Sequence, residues 1–434
     1  MLPQSTFMIT APIASNREAG LRQLLASMNQ APGMADPRNT LVPFYQFGRL
    51  HVARFVIIEA NTNDDLRAYG IEPAHWQPML GFIGDIDGRS DIFLAELAVR
   101  AGAGLRQIFS HCQGFNTEQT DLLKWMKRHN RRPTANYINW RGRTVTRIHE
   151  ELALRNALRD QLAKVENEPG IKDPQYLRRR LIEFVDKELA AGRLRLSPPE
   201  PTPPGWFIAN LVHLIALPLA LIILSPVIVV AAPFFLIRLR KLENSDPENQ
   251  LRPEREHLHR LTTQEDLDVT NHFNVFGQVK PGRFRRYTIR LLLLLLDYAA
   301  RHVYKRGYLT RIQTIHFARW VLLDDNRRVY FASNYDGSAD SYMDDFINKV
   351  AWGLNLVFSN GVGYPRSRWL IKGGAEYEEK YKRTLRRNQL PSASWYKAYP
   401  GLTAVDLARN SRIREGLEKE NPGASEIRDW LRLL

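Results

Sequence analysis

Two hydrophobic periods alternate along the chain, and their order occurs twice. Residues 7–13 alternate as a strand. Over 16–29, Leu21, Leu24, Leu25 and Met28 fall on one helical face, with Asn16 the expected N-cap. Residues 50–58 (LHVARFVII) and 79–86 have the composition of strands, 90–109 that of a helix, and 135–140 that of a further strand. The later part repeats the order: strand over 274–279, strongly apolar helix over 287–304, strands over 312–323 and 329–334 across a DDNRR turn, helix over 338–358, and strand over 393–396.

The repetition extends to the letters. His51-Val-Ala-Arg54-Phe-Val matches His316-Phe-Ala-Arg319-Trp-Val at an offset of 265, and residues 87–115 match 336–364 without a gap at an offset of 249. Eight of those 29 positions are identical, among them Gly104/Gly353, Leu105/Leu354 and Phe109/Phe358. Asn130, Pro133 and Ala135 return as Asn388, Pro391 and Ala393. Three matches in the same order indicate an internal duplication. The expected fold is therefore α+β: two ferredoxin-like βαββαβ repeats, residues 1–145 and 268–400. Their open sheet faces would cover each other in an intramolecular α+β barrel.

Between the repeats, residues 206–237 contain no charged side chain over about 32 positions. As one straight helix they would reach roughly 48 Å, more than a hydrocarbon core of about 30 Å. Pro218, Pro226 and Pro233 interrupt them, and basic residues stand on both sides: Arg178, Arg179, Arg180, Arg193 and Arg195 before, Arg238, Arg240 and Lys241 after. A barrel requires both repeats in one compartment. The segment, 205–241, is therefore expected to be a hydrophobic membrane hairpin turning near Ser225-Pro226, with both ends and both termini cytosolic by the positive-inside tendency; the alternatives are one tilted or kinked transmembrane helix, or burial inside the soluble fold. Two amphipathic helices and a Pro-rich linker (146–204) precede it, a polar connector (242–267) follows, and a helical tail (401–434) closes the chain.

Composition narrows the partners. Lys and Arg exceed Asp and Glu by 61 to 46, a net charge of +15 that suits an anionic surface. No nucleic-acid-binding motif accompanies it, so the expected partner is the lipid surface of the cell membrane on its cytoplasmic side. The lone Cys112 excludes an intrachain disulfide and a cysteine-rich zinc cage. His111-Cys112 and His257-Leu-His259 are local pairs lacking the further ligands of a closed metal site.

The chemistry-bearing residues are those repeated in both halves. Strand alternation places His51 and His316 on one face and Arg54 and Arg319 on the other. Asp87 and Asp336, ending the next strand, are the expected carboxylate partners of the arginines; the alternative is that they cap the following helices. Gly84-Asp-Ile-Asp87-Gly88 matches a GxxDG motif, and tandem ferredoxin-like modules carrying it resemble the dye-decolourising peroxidases. That resemblance implies a membrane-associated haem oxidoreductase acting on peroxide and an organic reductant. Asp87 would move protons, Arg54 or Arg319 would stabilise developing charge, with Asp336 the counterpart of Asp87, and His316, His302 or His272 would ligate iron. The residues themselves equally allow a non-catalytic, membrane-anchored barrel that binds an apolar ligand or a protein partner.

Overall fold

A computed structural model describes residues 1–60, 62–73, 76–165, 173–248, 251–304 and 306–434. The fold is mixed α+β with one long apolar helix. Its principal strands are β1 (Gln4–Pro12), β2 (Leu50–Ile58), β3 (Met79–Asp87), β4 (Ala135–Ile138), β5 (Thr270–Gln278), β6 (Ile315–Leu323), β7 (Arg328–Asp336) and β8 (Ser392–Lys397). Its principal helices are α1 (Glu18–Ala26), α2 (Ser90–Arg100), α3 (Gly102–Phe109), α4 (Val145–Val165), α5 (Pro204–Ser245), α6 (Arg283–Tyr298), α7 (Ala339–Phe358) and α8 (Ala404–Glu418). The first of the two expected amphipathic helices, read from the sequence as 146–166, ends outside the described residues.

One sheet runs β1-β3-β2-β8 and continues into two short strands, Met34–Ala35 and Asn29–Ala31; the other runs β4-β6-β7-β5. The first sheet is mixed, because Trp395 pairs in parallel with Met34. Neither sheet is closed. Each takes one strand from the other half of the chain: β8 lies antiparallel to β2, with Trp395 opposite Arg54, and β4 lies antiparallel to β6, with Asn136 opposite Arg319. The expected strand at 135–140 is thus present, but paired with the later half.

Alternation then sorts the side chains. Met8, Val56, Ile58 and Ile83 of the first sheet meet Phe276, Val321, Leu323 and Tyr330 of the second in one apolar cluster. On the first sheet's opposite face, Phe7, Ala53, Phe55 and Phe82 pack under α1, α2 and α3. Phe273, Ala318, Trp320 and Phe331 pack under α6 and α7. The layers are therefore helix, sheet, sheet, helix.

Three local expectations change. Asn16 is a left-handed turn residue (φ 62°) rather than a cap, and α1 starts after Arg17 without a side-chain cap. The helix over 90–109 breaks at Ala101 into α2 and α3, and α7 carries a matching kink at Val350, 249 positions later (φ −149°, ψ 34°).

The apolar segment is no hairpin. Pro204–Ser245 is one continuous helix of 42 residues that includes Pro218, Pro226 and Pro233. Each proline removes one backbone donor, yet the helix continues through all three. Every residue from 219 to 231 is exposed.

The start of the predicted polar connector is not solvated. Glu243 and Asp246 are buried at the C-terminal end of α5. Glu243 accepts the backbone N–H groups of Trp369 and Leu370, both at 2.9 Å. Asp246 bridges Lys280 Nζ at 2.6 Å and Arg285 Nη2 at 2.8 Å, both cations being buried. Burial pulls Lys280 down to about 8, and Asp246 opposes that shift. Asp246→Ala would strand two buried cations. Equilibrium urea unfolding should show a loss of roughly 3 kcal/mol or more, whereas a loss below about 1 kcal/mol would mean that the two cations find other partners.

Candidate functional site

The repeated arginines meet between the sheets. Arg54 leaves β2 and crosses to the second sheet, where Nη1 donates to Asn274 Oδ1 (2.8 Å) and both Nη atoms to the Ser333 carbonyl (3.2 Å). Nη2 also donates to Asn334 Oδ1, and the guanidinium lies over the Trp395 ring at 4.8 Å. Arg319 crosses in the opposite sense, donating to the carbonyls of Phe7 (3.1 Å) and Gly84 (3.3 Å) and forming an ion pair with Asp85. Asn334 follows Asp85 by 249 positions, so one arginine has a carboxylate and the other only an amide oxygen. Burial lowers Arg54 to about 10 and raises the Asp85 carboxyl, the latter against the pull of Arg319 and Arg54.

Asp87 and Asp336 therefore do not partner the arginines. Arg319's carboxylate comes from the opposite sheet, a relation that adjacency of strands does not reveal. Asp87 accepts from His51 Nε2 (2.9 Å) and from the Val145 N–H (2.8 Å), at the start of α4. Asp336 likewise holds His316 Nε2 (2.7 Å) and the Ala404 N–H (2.6 Å), at the start of α8. They do cap helices, but α4 and α8 rather than those that follow them directly. Burial alone would raise the Asp336 carboxyl; His316, Thr270 and the Ala404 N–H hold it below its ordinary value.

The register of both strands shifts at the histidines, between Leu50 and Val52 and between Ile315 and Phe317. Such irregularities interrupt alternation and re-aim a side chain. His51 consequently reaches Tyr399 Oη through Nδ1 (3.1 Å), and the His316 ring lies 6.4 Å from the same tyrosine ring. The predicted opposition of His and Arg faces fails there. Tyr399, buried and bonded to His51, was not singled out in the sequence, where no repeated letter marks it.

The other two histidines lie elsewhere. His272 is buried beside Ser392, with Nδ1 3.0 Å from Oγ. His302 meets His213 of α5 at 2.9 Å. His111 Nδ1 meets a backbone carbonyl oxygen, as does His257 Nε2, while burial pushes the Cys112 thiol up to about 12. Among the described residues no group of three His, Cys, Asp or Glu is placed to hold a metal ion.

These surroundings do not fit haem. The space beside His51 and His316 is about 20 Å³, and the Nε2 of His316 is taken by Asp336. An apolar cavity of about 320 Å³ lies over the outer face of the second sheet between α6 and α7, and among the described residues no histidine or carboxylate lines it. Leu292, Leu295, Leu296, Val350, Gly353 and Phe358 are among its walls. Two helix irregularities border it: the kink at Val350 and a π-helical turn over Ala299–Val303. Such irregularities recur at functional sites.

The first half fills the corresponding space. A Cβ on Gly104 would lie 2.0 Å from the Leu41 carbonyl oxygen, whereas one on Gly353 would meet only Val350 Cβ, at 4.0 Å. The loop that closes on Gly104 also contributes Val42, Phe44 and Phe47 to the core. A comparison of the chain with family models, curated proteins and solved structures found no match.

Burial and the nearby Arg54 charge lower His272 from 6.5 to about 3, so native His272 stays neutral while the unfolded chain takes up a proton below pH 6.5. Its contribution to stability is complete above that pH and declines as the pH falls toward about 3. Urea titrations should lose on the order of 2 kcal/mol between pH 7 and 5, and His272→Gln should flatten that slope. An unchanged slope would place the titrating group elsewhere.

Proposed function

We propose that the protein is a non-catalytic, membrane-attached binder of an apolar ligand, held in the cavity between α6 and α7. The cavity carries this reading: it is apolar, and it lies where the matching part of the first half is packed solid. Its size is at the lower end of small-molecule sites, roughly 300–1,000 Å³. The peroxidase reading lacks such support, since the candidate histidines are engaged by Asp336, Ser392 and His213 and the spaces beside His316 and His272 are only about 20 and 10 Å³.

Duplication supports the architecture. Ile9 bridges Asn130 just before β4, and Val275 bridges Gln389 just before β8, so the outer strand of each sheet approaches a segment leading into the other. We read these as the seams of two ferredoxin-like repeats wrapped into a barrel. Its interior is filled by the arginine cluster and the apolar residues around it.

Attachment follows from α5. At 42 residues it is about 63 Å long, twice the hydrocarbon thickness of about 30 Å. Both ends are fixed to one body: the Met1 amine donates to Thr202 Oγ1 at 2.7 Å before it, and Glu243 and Asp246 are buried after it. Residues preceding α5 also pair with residues following it, in β4 and β6. A helix spanning the bilayer would separate segments that the second sheet joins. We therefore place α5 in the plane of one leaflet, on the cytosolic face, where anionic lipid attracts Arg193, Arg195, Arg238, Arg240 and Lys241.

Tags at the two termini should label from the same face of sealed vesicles, and detergent but not high salt should extract the protein. Labelling from opposite faces would overturn the in-plane arrangement. For the cavity, the neutral fluorophore N-phenyl-1-naphthylamine should bind the detergent-solubilised protein saturably at one site. Gly353→Leu, which adds a side chain where open space exists at a helical position, should weaken that binding at least tenfold without lowering thermal stability. Equal binding by the variant would remove the cavity from the proposal.

A further inference from the structure

We infer that the ligand is an uncharged chain-type lipid with a single hydrogen-bond acceptor, and that it reaches the cavity sideways from the bilayer, between α5 and α6. This rests on the cavity reading above and specifies its ligand. Among the described residues no charged side chain lines the cavity. A carboxylate or ammonium group drawn inside would lose its hydration without gaining a counter-charge from the described walls. A neutral chain loses nothing comparable and gains from burial in proportion to its apolar area.

The acceptor is argued from Trp320. Its ring lines the cavity and is 5% exposed, and its Nε1–H, buried, has no hydrogen-bond partner among the described residues. An unmatched donor of this kind is costly, and an alcohol or carbonyl oxygen satisfies it without bringing a charge. The Tyr342 hydroxyl, also in the wall, is already engaged by Ser333 Oγ at 2.8 Å.

The route is argued from the way the two helices meet. Tyr298 Oη donates to the Leu214 carbonyl at 3.1 Å, and the Phe235 and Phe284 rings meet at a tilt of 34° with centroids 4.9 Å apart. The contacts pair the early part of α5 with the end of α6, and the late part of α5 with the start of α6, so the helices run antiparallel. Between them, residues 219–231 of α5 are exposed, as are Leu291, Leu294 and Leu295 of α6. Leu295 also lines the cavity, and so forms a wall shared by the ligand space and the lipid-facing surface. With α5 in the leaflet, the two apolar surfaces border a passage that water does not favour and a lipid chain does.

The test is competition against N-phenyl-1-naphthylamine bound to the full chain in detergent at pH 8. 1-Dodecanol should displace the probe at a concentration at least tenfold lower than dodecanoate or dodecylammonium. Trp320→Phe keeps an aromatic ring and removes the donor; it should weaken dodecanol about three- to tenfold while leaving dodecane unchanged. Equal potency of the charged and neutral chains would overturn the ligand class while leaving the cavity reading intact. Absence of saturable probe binding would remove both. The route has its own arm: loading from dodecanol-containing vesicles should be slowed more than tenfold by Leu291→Asp with Leu294→Asp, relative to loading from micelles. An equal ratio in variant and wild type would assign delivery to the aqueous phase.

Discussion

The exchange of end strands between the two halves is the constraint on which the rest depends. β4 completes the later sheet and β8 the earlier one, so neither half has a complete sheet of its own. The buried arginines strengthen this link, because each crosses to backbone carbonyls of the other sheet and is satisfied only when both sheets are present. Buried guanidinium groups tolerate such a position only if their donors are matched. That requirement makes the two halves one unit, and so holds both ends of α5 on one body.

The centre and the periphery of the molecule have diverged in different ways. Between the sheets the duplication is nearly symmetrical, with Arg54 and Arg319, His51 and His316, and Asp87 and Asp336 in matching roles; the main departure is Asn334 opposite Arg54 where Asp85 meets Arg319. On the outer faces symmetry is lost. Gly104 is pressed by the Leu41 backbone, whereas Gly353 looks into open space. Polar residues at the crowded centre cannot change without stranding a partner, while an outer loop can retreat and leave a cavity. The ligand site we propose lies where change costs least.

The long helix connects these features. It is apolar on all sides and largely uncovered, which a protein surrounded by water does not sustain over so many residues. Its ends are nevertheless polar and buried, and Asp246 alone gathers Lys280, Arg285 and the Arg366 side chain, the last through its backbone carbonyl. A helix clamped at its ends and free in the middle is the basis of the in-plane attachment we propose. The neighbouring α6 brings exposed leucines to the same side.

Local pattern was enough to place the strands, most helices and the apolar segment. Alternation and helical period depend only on near neighbours, and Gly104 and Gly353 could be matched by letters alone. Other features depended on contacts between distant residues. Asp85 rather than Asp87 receives Arg319 because the partner stands on the opposite sheet, and the register shifts at His51 and His316 turn both rings toward Tyr399. Glu243 and Asp246 look solvated in a charged stretch until the fold brings Ser367, Lys280 and Arg285 around them. The sequence also suggested a hairpin turning near Ser225-Pro226, but the helix, held at both ends by the fold, continues through all three prolines. Periodicity determined which residues face inward; only tertiary structure decided what they meet, because burial leaves each polar group whichever partner packing delivers.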